Sequence, residues 1–303
     1  MNGKKKRKDV GEFTMKLPDN LMSLSIELSN KTYVHEGYTA FRINDPKPID
    51  IHKASVRDRL VHHAIHRVLY PYFDRKFDFS SFSCRKYKGQ HKAVYRFEKL
   101  ARIVSKNHTR ACWVLKCDIK KFFANINHDI LKGILAKYID DKDVPGLLIV
   151  VIDSFSSKGK QGVGLPLGNL TSQLLVNVYM NEFDQFMKRE LKVKYYIRYA
   201  DNFVILSEGK KSLEELQLKI EEFLQTKLKL SLHPDKVSVE TFASGVDFLG
   251  WIHFSNHRVL RTTTRRRMFK NLKKNQKTES TASYKGMLSH GNSYKLQKSI
   301  EKM

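Results

Sequence analysis

Residues 195–207 constrain the fold most, because two β-rich runs there flank the triplet Ala200-Asp201-Asn202. Asp and Asn favour tight turns, so the pattern predicts a β-hairpin with Asp201 in its turn. Residues 111–119 alternate in strand fashion and end at a second carboxylate, Asp118. Helical patterns separate and follow these strands, at residues 129–138, 170–190 and 213–228. Strands mixed with helices in this way predict an α+β fold.

The charge balance indicates a polyanionic partner. Lys plus Arg number 56 against 31 for Asp plus Glu, which gives a net charge of +25. Nucleic acid is the first candidate for that partner, and an anionic membrane surface is the weaker alternative. The longest apolar run, residues 146–153, predicts a buried helix turn or strand, because a membrane span needs about 20 apolar residues.

Residues 1–9 are basic but lack the apolar stretch of a signal peptide, and Lys4 to Lys8 predict a mobile arm. The three cysteines form no Cys-x-x-Cys pair. This pattern disfavours a disulfide scaffold or a Cys-rich zinc site, and it fits a reducing cytoplasm.

Residues 57–70 predict an amphipathic helix that ends before Pro71. Its predicted core stripe consists of Leu60, Val61, Ala64, Ile65, Val68 and Leu69. His62 and His66 have metal-ligand spacing, but no Glu follows His62, so a polar helix face is favoured over a zinc site.

Residues 265–274 predict a second helix, with Met268 and Leu272 on an apolar seam and cations around it. Such a surface is either a solvated face or an element that holds a phosphate backbone. The single sign of its charges favours the second interpretation.

Asp118 and Asp201 would together suit two-metal nucleotidyl transfer. In this chemistry two divalent cations, about 3.5–4 Å apart, stabilise the attacking and leaving oxygens. Mg²⁺ prefers oxygen ligands and keeps several waters, so two carboxylates plus substrate phosphates suffice. An Asp-Asn turn alone is usually only a turn, so the argument requires that the two strands be neighbours.

Several motifs then follow one another in a fixed order. They are Asp118-Ile-Lys-Lys-Phe-Phe123, Gly164-Leu-Pro-Leu-Gly-Asn-Leu-Thr-Ser-Gln173, Tyr199-Ala-Asp-Asn202, Leu230-Ser-Leu-His-Pro-Asp-Lys236 and Asp247-Phe-Leu-Gly-Trp251. In this order they resemble the palm motifs of bacterial reverse transcriptases, and residues 56–64 and 83–93 look like fingers motifs of the same group. Gly168-Asn-Leu-Thr-Ser-Gln173 is most similar to the reverse transcriptases of diversity-generating retroelements, within the group II intron-like lineage.

The resemblance implies a right-hand polymerase with two Mg²⁺ ions as cofactors and Mn²⁺ as an alternative. Asp118 matches the first metal-binding carboxylate, with Ile119 as a further metal position, and Asp201 matches the catalytic carboxylate of the Tyr-x-Asp-Asp box. Lys236 matches a lysine that assists pyrophosphate departure, although a solvated lysine after Pro234 would look the same.

Nucleotide contacts are also implied by the resemblance. Phe123 matches the ring that excludes a ribose 2′-OH, against the alternative of a core aromatic beside Phe122. Leu167 replaces a Gln near the nascent base pair, which implies misincorporation at template adenines. The cations expected to meet the triphosphate are Arg59, Lys47 and Lys53.

Contacts to the primer and template are implied at three places. Tyr199 matches the aromatic beside the primer terminus. Phe248, Leu249 and Gly250 resemble the primer-grip hairpin, although a buried strand would give the same pattern. The basic run of the predicted C-terminal helix would meet the duplex through Arg265, Arg266 and Arg267.

Two residues depart from the family pattern. Asn202 stands where the second Asp of the Tyr-x-Asp-Asp box is usual, and it carries one negative charge fewer for the metals. Either the family variant tolerates Asn, because the second carboxylate is the less direct ligand, or the residue was substituted to disable turnover, and the second interpretation is slightly favoured. Ile49 stands where the family usually has a triphosphate-contacting Arg, which Lys47 or Lys53 would replace.

The expected organisation is a basic N-terminal arm (residues 1–30), fingers (31–109), palm (110–260) and a short basic thumb (261–303). The implied partners are a template RNA, the RNA–cDNA duplex, dNTPs and a basic oligomeric accessory protein, with no membrane. The resemblance implies a cytoplasmic enzyme, bacterial or phage-encoded. Two alternatives stay open: a retron, intron-derived or phage-defence reverse transcriptase, and a catalytically silent RNA-binding protein on the same fold.

Overall fold

Helices and strands are mixed along the whole chain in the computed structural model, which describes residues 7–44, 48–141, 143–274 and 278–301. The helices are α1 (Lys8–Met15), α2 (Leu17–Ser29), α3 (Val56–Asp74), α4 (Gln90–Val104), α5 (His128–Tyr138), α6 (Val144–Asp153), α7 (Leu170–Gln185), α8 (Lys210–Leu228), α9 (Thr262–Lys274), α10 (Thr278–Leu288) and α11 (Tyr294–Glu301). The strands are β1 (Tyr38–Ile43), β2 (Ile49–Ala54), β3 (Trp113–Asp118), β4 (Tyr196–Tyr199), β5 (Asn202–Ser207), β6 (Ser238–Thr241), β7 (Val246–Phe248), β8 (Trp251–His253) and β9 (Arg258–Leu260). The predicted mixture of helices and strands is confirmed.

The chain divides into two compact units, each built from separate stretches of sequence. The first unit comprises Met1–Asp78, Lys120–Glu190 and Phe223–Ser231, and the second comprises Phe79–Ile119, Leu191–Glu222 and Leu232–Met303. The division crosses the predicted fingers and palm boundaries several times, and those boundaries stay a prediction.

In the first unit, α7 is the central helix and packs against α3 and α5. Its residues are buried around nearly the whole circumference, and the buried set includes polar side chains, among them Asn177, Asn181 and Asp184. A π-helical turn, Phe186–Glu190, continues it, so the predicted helix of residues 170–190 has two geometries. Strands β1 and β2 of the same unit pair antiparallel.

Helix α3 differs from its prediction at both the proline and the histidines. Ser55 caps its N-terminus by accepting a hydrogen bond from the Asp58 backbone N–H at 3.1 Å. The helix continues through Pro71 to Asp74, and burial of Phe73, two residues later, offsets the backbone hydrogen bond that proline cannot donate. The predicted ending at Pro71 was therefore wrong.

The predicted core stripe of α3 is only partly correct. Val61, Ile65 and Leu69 are buried, whereas Ala64 and Val68 face solvent. His62, assigned to a polar face, is buried because its ring has polar partners inside the protein, which are described below.

The second unit contains a sheet with strand order β4-β5-β3-β6, in which every neighbouring pair is antiparallel. Strand β3 lies inside this sheet, and its residues are mostly buried on both faces rather than alternately. Helix α4 covers the sheet with an apolar face, and the core there includes Phe97, Val114, Val204 and Phe248.

Strands β7, β8 and β9 form an antiparallel meander that leads into the C-terminal helices. Met268 and Leu272 of α9 are buried with Trp251 in a second core, so the predicted apolar seam is confirmed. The apolar run 146–153 lies in α6. Lys8 begins α1 and does not belong to a mobile arm. Residues 1–6, the rest of the predicted arm, lie outside the described residues. Among the described helices, none has the length and apolar character to cross a membrane.

All three cysteines are free. Cys112 and Cys117 are buried in the second unit, whereas Cys84 is exposed. Burial raises the pKa of the Cys112 thiol to about 12 and moves the pKa of Cys117 in the same direction.

Candidate active site

Sheet register in the second unit brings Asp118 and Asp201 together. Strands β3 and β5 are paired so that Asp118 lies opposite Asn202, the residue next to Asp201. The Ile119 backbone N–H, directly after Asp118, donates to the Asp201 carbonyl at 3.1 Å. The requirement set by the sequence, that the strand ending at Asp118 be a neighbour of the hairpin, is met.

The turn that carries Asp201 is held in a specific shape. Ala200 has a φ of +56°, a left-handed conformation that costs a residue with a Cβ about 1 kcal/mol. The fully buried Arg198 side chain donates from Nη1 to the Ala200 carbonyl at 3.1 Å and from Nη2 to Ser81 Oγ at 3.0 Å. Arg198 therefore positions the turn, a role that sequence reasoning missed.

The two carboxylates form a like-charge site. Asp118 is 7% exposed. Burial, and then the charge of Asp118, raise the pKa of Asp201, because both disfavour a second negative charge there. The Asn202 side-chain N–H donates to Asp201 Oδ1 at 3.5 Å and acts in the opposite direction, toward a lower pKa.

Lys236 supplies positive charge at this site. It ends a 3-10 turn, Pro234–Lys236, and its Nζ donates to Asp118 Oδ1 at 2.7 Å. The His233 backbone N–H donates to the Asp118 carbonyl at 2.8 Å, which ties this turn to the end of β3. This contact places the ammonium at Asp118, while the Lys236 side chain is 40% exposed to solvent.

The donor set suits a hard divalent cation. Two carboxylates with one lysine between them leave negative charge uncompensated, and oxygen ligands are the ones that Mg²⁺ prefers. Across the described ranges, there is no group of three or more His, Cys, Asp or Glu side chains that could hold a metal. The candidate metal ligands are thus the pair Asp118 and Asp201, with Ile119 adjacent.

The primer-grip candidate is a tight hairpin rather than a continuous strand. Phe248 pairs with Trp251, and the two residues between them, Leu249 and Gly250, have φ values of +49° and +85°. Left-handed values at both turn positions are typical of the hairpin turn that matches strand twist. Gln90 Nε2 donates to the Leu249 carbonyl at 2.7 Å, so α4 fixes this hairpin. Tyr199, at the end of β4, is half-buried against the same core.

The basic surface of α9 borders a groove in the second unit. The groove has a volume of 600 Å³ and is lined by Arg265, Arg266, Phe269, Lys270, Lys273, Leu296 and Ser299. Arg267 is not among the lining residues and has an interaction elsewhere. Four cations without an acid in this lining suit a phosphate backbone.

The first unit contains the pocket candidates Phe123 and Leu167, joined through one loop. Phe123 is half-buried, and its carbonyl accepts a hydrogen bond from the Leu165 N–H at 2.8 Å. Two residues later, the Leu167 carbonyl accepts from the His52 N–H of β2 at 3.0 Å. Asn169 Nδ2 donates to the His52 carbonyl at 2.8 Å, so the loop runs beside β2 like an added strand.

Gly168 in this loop has a φ of +103°, and a Cβ there would lie 2.8 Å from Ile51 Cγ2. A side chain at this position would therefore separate the loop from β2.

The triphosphate candidates Lys53 and Arg59 also lie in the first unit and share one partner. Lys53 Nζ is 2.7 Å from Asp9 Oδ2, and Arg59 Nη2 donates to the same oxygen at 2.8 Å. Lys47, the third predicted cation, lies outside the described residues.

A buried polar chain ties α3 to the motif that begins α7. Tyr33 donates to Asp58 Oδ1 at 2.7 Å, and His35 Nδ1 lies 3.5 Å from Asp58 Oδ2. His35 Nε2 is 3.2 Å from His62 Nε2, and His62 Nδ1 is 2.5 Å from Thr171 Oγ1. Burial lowers the pKa of both imidazoles, that of His62 to about 4, so both rings are neutral at pH 7.

A family model described as reverse transcriptase (RNA-dependent DNA polymerase) matches residues 46–253, more than half of the chain. The chain belongs to the reverse transcriptase family.

Curated relatives agree with this assignment. Protein YkfC of Escherichia coli strain K12 is 28% identical over 251 residues, covering 70% of this chain and 63% of YkfC. The group II intron-encoded protein LtrA of Lactococcus lactis subsp. cremoris is 24% identical over 260 residues, covering 64% of this chain and 42% of LtrA. The chain therefore spans less than two thirds of the length of either relative.

Solved structures show the same fold. Apo telomerase from Candida tropicalis matches with a TM-score of 0.56 at 13% identity, over 73% of this chain and 48% of that one. Telomerase from the same organism, in complex with a TWJ fragment of telomeric RNA, matches with a TM-score of 0.54 at 14% identity, over 77% of this chain and 47% of that one. The expected fold, an α+β right-hand polymerase, is confirmed by these likenesses.

Proposed function

We propose that this protein is an RNA-directed DNA polymerase that adds templated deoxynucleotides to a primer with two Mg²⁺ ions, which Mn²⁺ can replace. The observation that carries the proposal is the pairing of β3 with β5, which holds Asp118 beside Asp201 as an under-neutralised carboxylate pair. Bound divalent ions would stabilise the charge that develops on the attacking and leaving oxygens.

The residues of the second unit have separate roles in this proposal. Asp118 and Asp201 hold the ions, with the Ile119 backbone as a further oxygen. Lys236, whose ammonium is 2.7 Å from Asp118, provides positive charge and a proton for the departing pyrophosphate. Asn202 keeps the shape of a second carboxylate without its charge.

The residues of the first unit bind and select the nucleotide. Phe123 excludes a ribose 2′-OH, and Lys53 and Arg59 contact the triphosphate. Leu167 offers the nascent base pair no side-chain hydrogen bond, so discrimination by the pocket is weak. We infer misincorporation at template adenines, as in a diversity-generating retroelement, from this residue and from the Gly168–Gln173 motif.

Binding of the template RNA and the RNA–cDNA duplex is proposed for the primer-side elements. Tyr199 and the hairpin Phe248–Gly250 would face the primer terminus, and Arg265 and Arg266 with the groove of α9 would contact phosphates. We retain residues 31–109 as fingers, 110–260 as palm and 261–303 as thumb, and a basic oligomeric accessory protein as a partner.

The test is primer extension on a defined RNA template with Mg²⁺ and dNTPs. We expect extension by the natural sequence, loss of at least a hundredfold with Asp118→Ala, and increased extension with Asn202→Asp. Asp235→Ala, at an exposed acid one residue from Lys236, is the matched control. Sequencing the cDNA tests the finer proposal, because errors spread evenly over all four template bases would contradict adenine-directed misincorporation.

A second candidate function is RNA binding without turnover, which the neutral Asn202 favours. If neither the natural sequence nor Asn202→Asp extends a primer while both retain RNA affinity, this second function replaces the first. The relative LtrA favours a third outcome, an intron-derived setting for the same chemistry. The genes beside this one would decide it, because a retroelement requires a template repeat nearby.

A further inference from the structure

An acidic residue of the N-terminal helix occupies the point where two proposed triphosphate-binding cations converge. Asp9 Oδ2 is 2.7 Å from Lys53 Nζ and 2.8 Å from Arg59 Nη2, and all three residues belong to the first unit. A single oxygen between an ammonium and a guanidinium is the arrangement that a phosphate oxygen adopts between two cations. The Asp9 carboxylate thus has the charge and the contacts of a phosphate group.

The ion pairs of Asp9 with Lys53 and Arg59 keep Asp9 ionised, and they are exposed enough to solvent for a ligand to replace the carboxylate. The ion pairs to Lys53 and Arg59 lower the pKa of Asp9 against the opposing effect of burial, so Asp9 is ionised at neutral pH. The side chains of Asp9, Lys53 and Arg59 are 32%, 33% and 24% exposed. Solvent, and therefore a dissolved polyphosphate, can reach both cations without unfolding of the helix.

The acidic residues around Asp9 add to the repulsion that its carboxylate exerts on a phosphate group. A cavity of 380 Å³ beside Lys53 has Asp9, Glu12 and Glu36 in its lining, against Lys53 and Arg57 as cations. Arg57 is already paired with Glu27 and Asp58. An incoming triphosphate therefore meets a net negative lining as long as the Asp9 carboxylate keeps its place.

Helix α1 is attached so that Asp9 stays at this point. Val10, the next residue, is 4% exposed, and α1 packs against α3, the helix that carries Arg59. The helix spans only Lys8–Met15 and has no side-chain hydrogen bond at its N-cap, so the turn containing Asp9 can open at low cost.

We propose that Asp9 is an affinity-determining residue of the nucleotide site: its carboxylate stands in for a phosphate oxygen between Lys53 and Arg59, and an incoming dNTP must displace it. The proposal rests on the proposed function only for the assignment of Lys53 and Arg59 to the triphosphate. The nucleotide affinity of the protein is then lower than the two cations alone would give.

The test is equilibrium binding of dTTP, and of inorganic tripolyphosphate, to the full chain without primer. We expect Asp9→Asn to lower the Kd for dTTP by about fivefold, which corresponds to about 1 kcal/mol, because exposed ion pairs contribute little each. The same factor is expected for tripolyphosphate, because Asp9 contacts only the cations. An unchanged Kd would overturn the proposal. A raised Kd would also overturn it, because Asp9 would then position the two cations for the nucleotide.

The control is Asp19→Asn, which removes an acid from the first turn of the neighbouring helix α2 and therefore matches the change in charge and helix dipole. It should leave the Kd within twofold of the natural value. In the background of Lys53→Ala, the gain from Asp9→Asn should shrink, because one of the two cations is gone.

If neither Lys53→Ala nor Arg59→Ala weakens dTTP binding, the cations do not meet the triphosphate and the proposal is wrong. That failure is distinct from failure of the proposed polymerase function, which is decided by primer extension with Asp118→Ala. Thermal unfolding of each variant separates an effect on affinity from an effect on folding.

Discussion

Replacing Asn202 with Asp adds a third carboxylate beside Asp118 and Asp201, where burial and the charge of Asp118 already disfavour the ionised form of Asp201. The Asn202 side-chain nitrogen is 3.5 Å from Asp201 Oδ1, so the new charge would lie about 4 Å from an existing one. With an effective dielectric constant of about 20, two unit charges at that distance repel by about 4 kcal/mol. Solvent and rearrangement reduce this ceiling, and we expect a loss of about 1–2 kcal/mol in the free energy of unfolding without metal.

The same charge should become favourable once a divalent cation is present, because the added carboxylate is then a ligand or a neighbour of the ion. We expect the melting temperature of Asn202→Asp to lie a few degrees below that of the natural sequence in chelator, at about 2–4 °C per kcal/mol. In millimolar Mg²⁺ this difference should disappear or reverse, and primer extension should rise.

Differential scanning calorimetry in chelator and in Mg²⁺ measures the first effect, and primer extension measures the second. Asn202→Ala is the matched control, because it removes the hydrogen bond to Asp201 without adding charge. If Asn202→Asp and Asn202→Ala respond to Mg²⁺ equally, the metal is not bound beside this hairpin, and the two-metal argument is refuted.

Three further results are expected. Burial lowers the pKa of His62 to about 4 and shifts the pKa of His35 in the same direction, so the free energy of unfolding should fall by up to about 3 kcal/mol as pH drops from 6.5 to 4. Denaturant titrations at several pH values should show this dependence, and His62→Gln should reduce it. Gly291→Ala should lower the free energy of unfolding by about 1–3 kcal/mol, since its Cβ would overlap the Trp251 ring; Gly286→Ala, where the space is open, is the control for calorimetry. Arg265→Ala should weaken binding to all duplex sequences alike and reduce the salt dependence of log Kd by about one unit of slope, and a sequence-dependent loss would contradict a phosphate contact.

The elements that carry the carboxylates could be predicted because their signals are local. Strand alternation up to Asp118 and turn residues at Asp201 are properties of short segments. The pairing of β3 with β5 joins segments that are distant in the chain, so the sequence could only require it, and the structure meets that requirement. The helix of residues 265–274 was predictable for the same reason, from the spacing of Met268 and Leu272.

Features that depend on distant partners could not be predicted. His62 looked like part of a polar face, because its partners His35 and Thr171 are 27 and 109 residues away in the chain. Pro71 predicted a helix end, yet tertiary packing of Phe73 overrides that local rule. The contact of Asp9 with Lys53 and Arg59 could not be predicted, because no periodic pattern in the sequence indicates it.

The arrangement of the thiols has a practical consequence. Cys112 and Cys117 are sealed in the second unit with their thiolate forms suppressed, so in the native state a maleimide can reach only Cys84. A single dye could therefore be attached to the unaltered sequence at a defined position. The number of alkylated sulfurs per molecule, one when native and three when denatured, would also provide a mass-spectrometric count of unfolding.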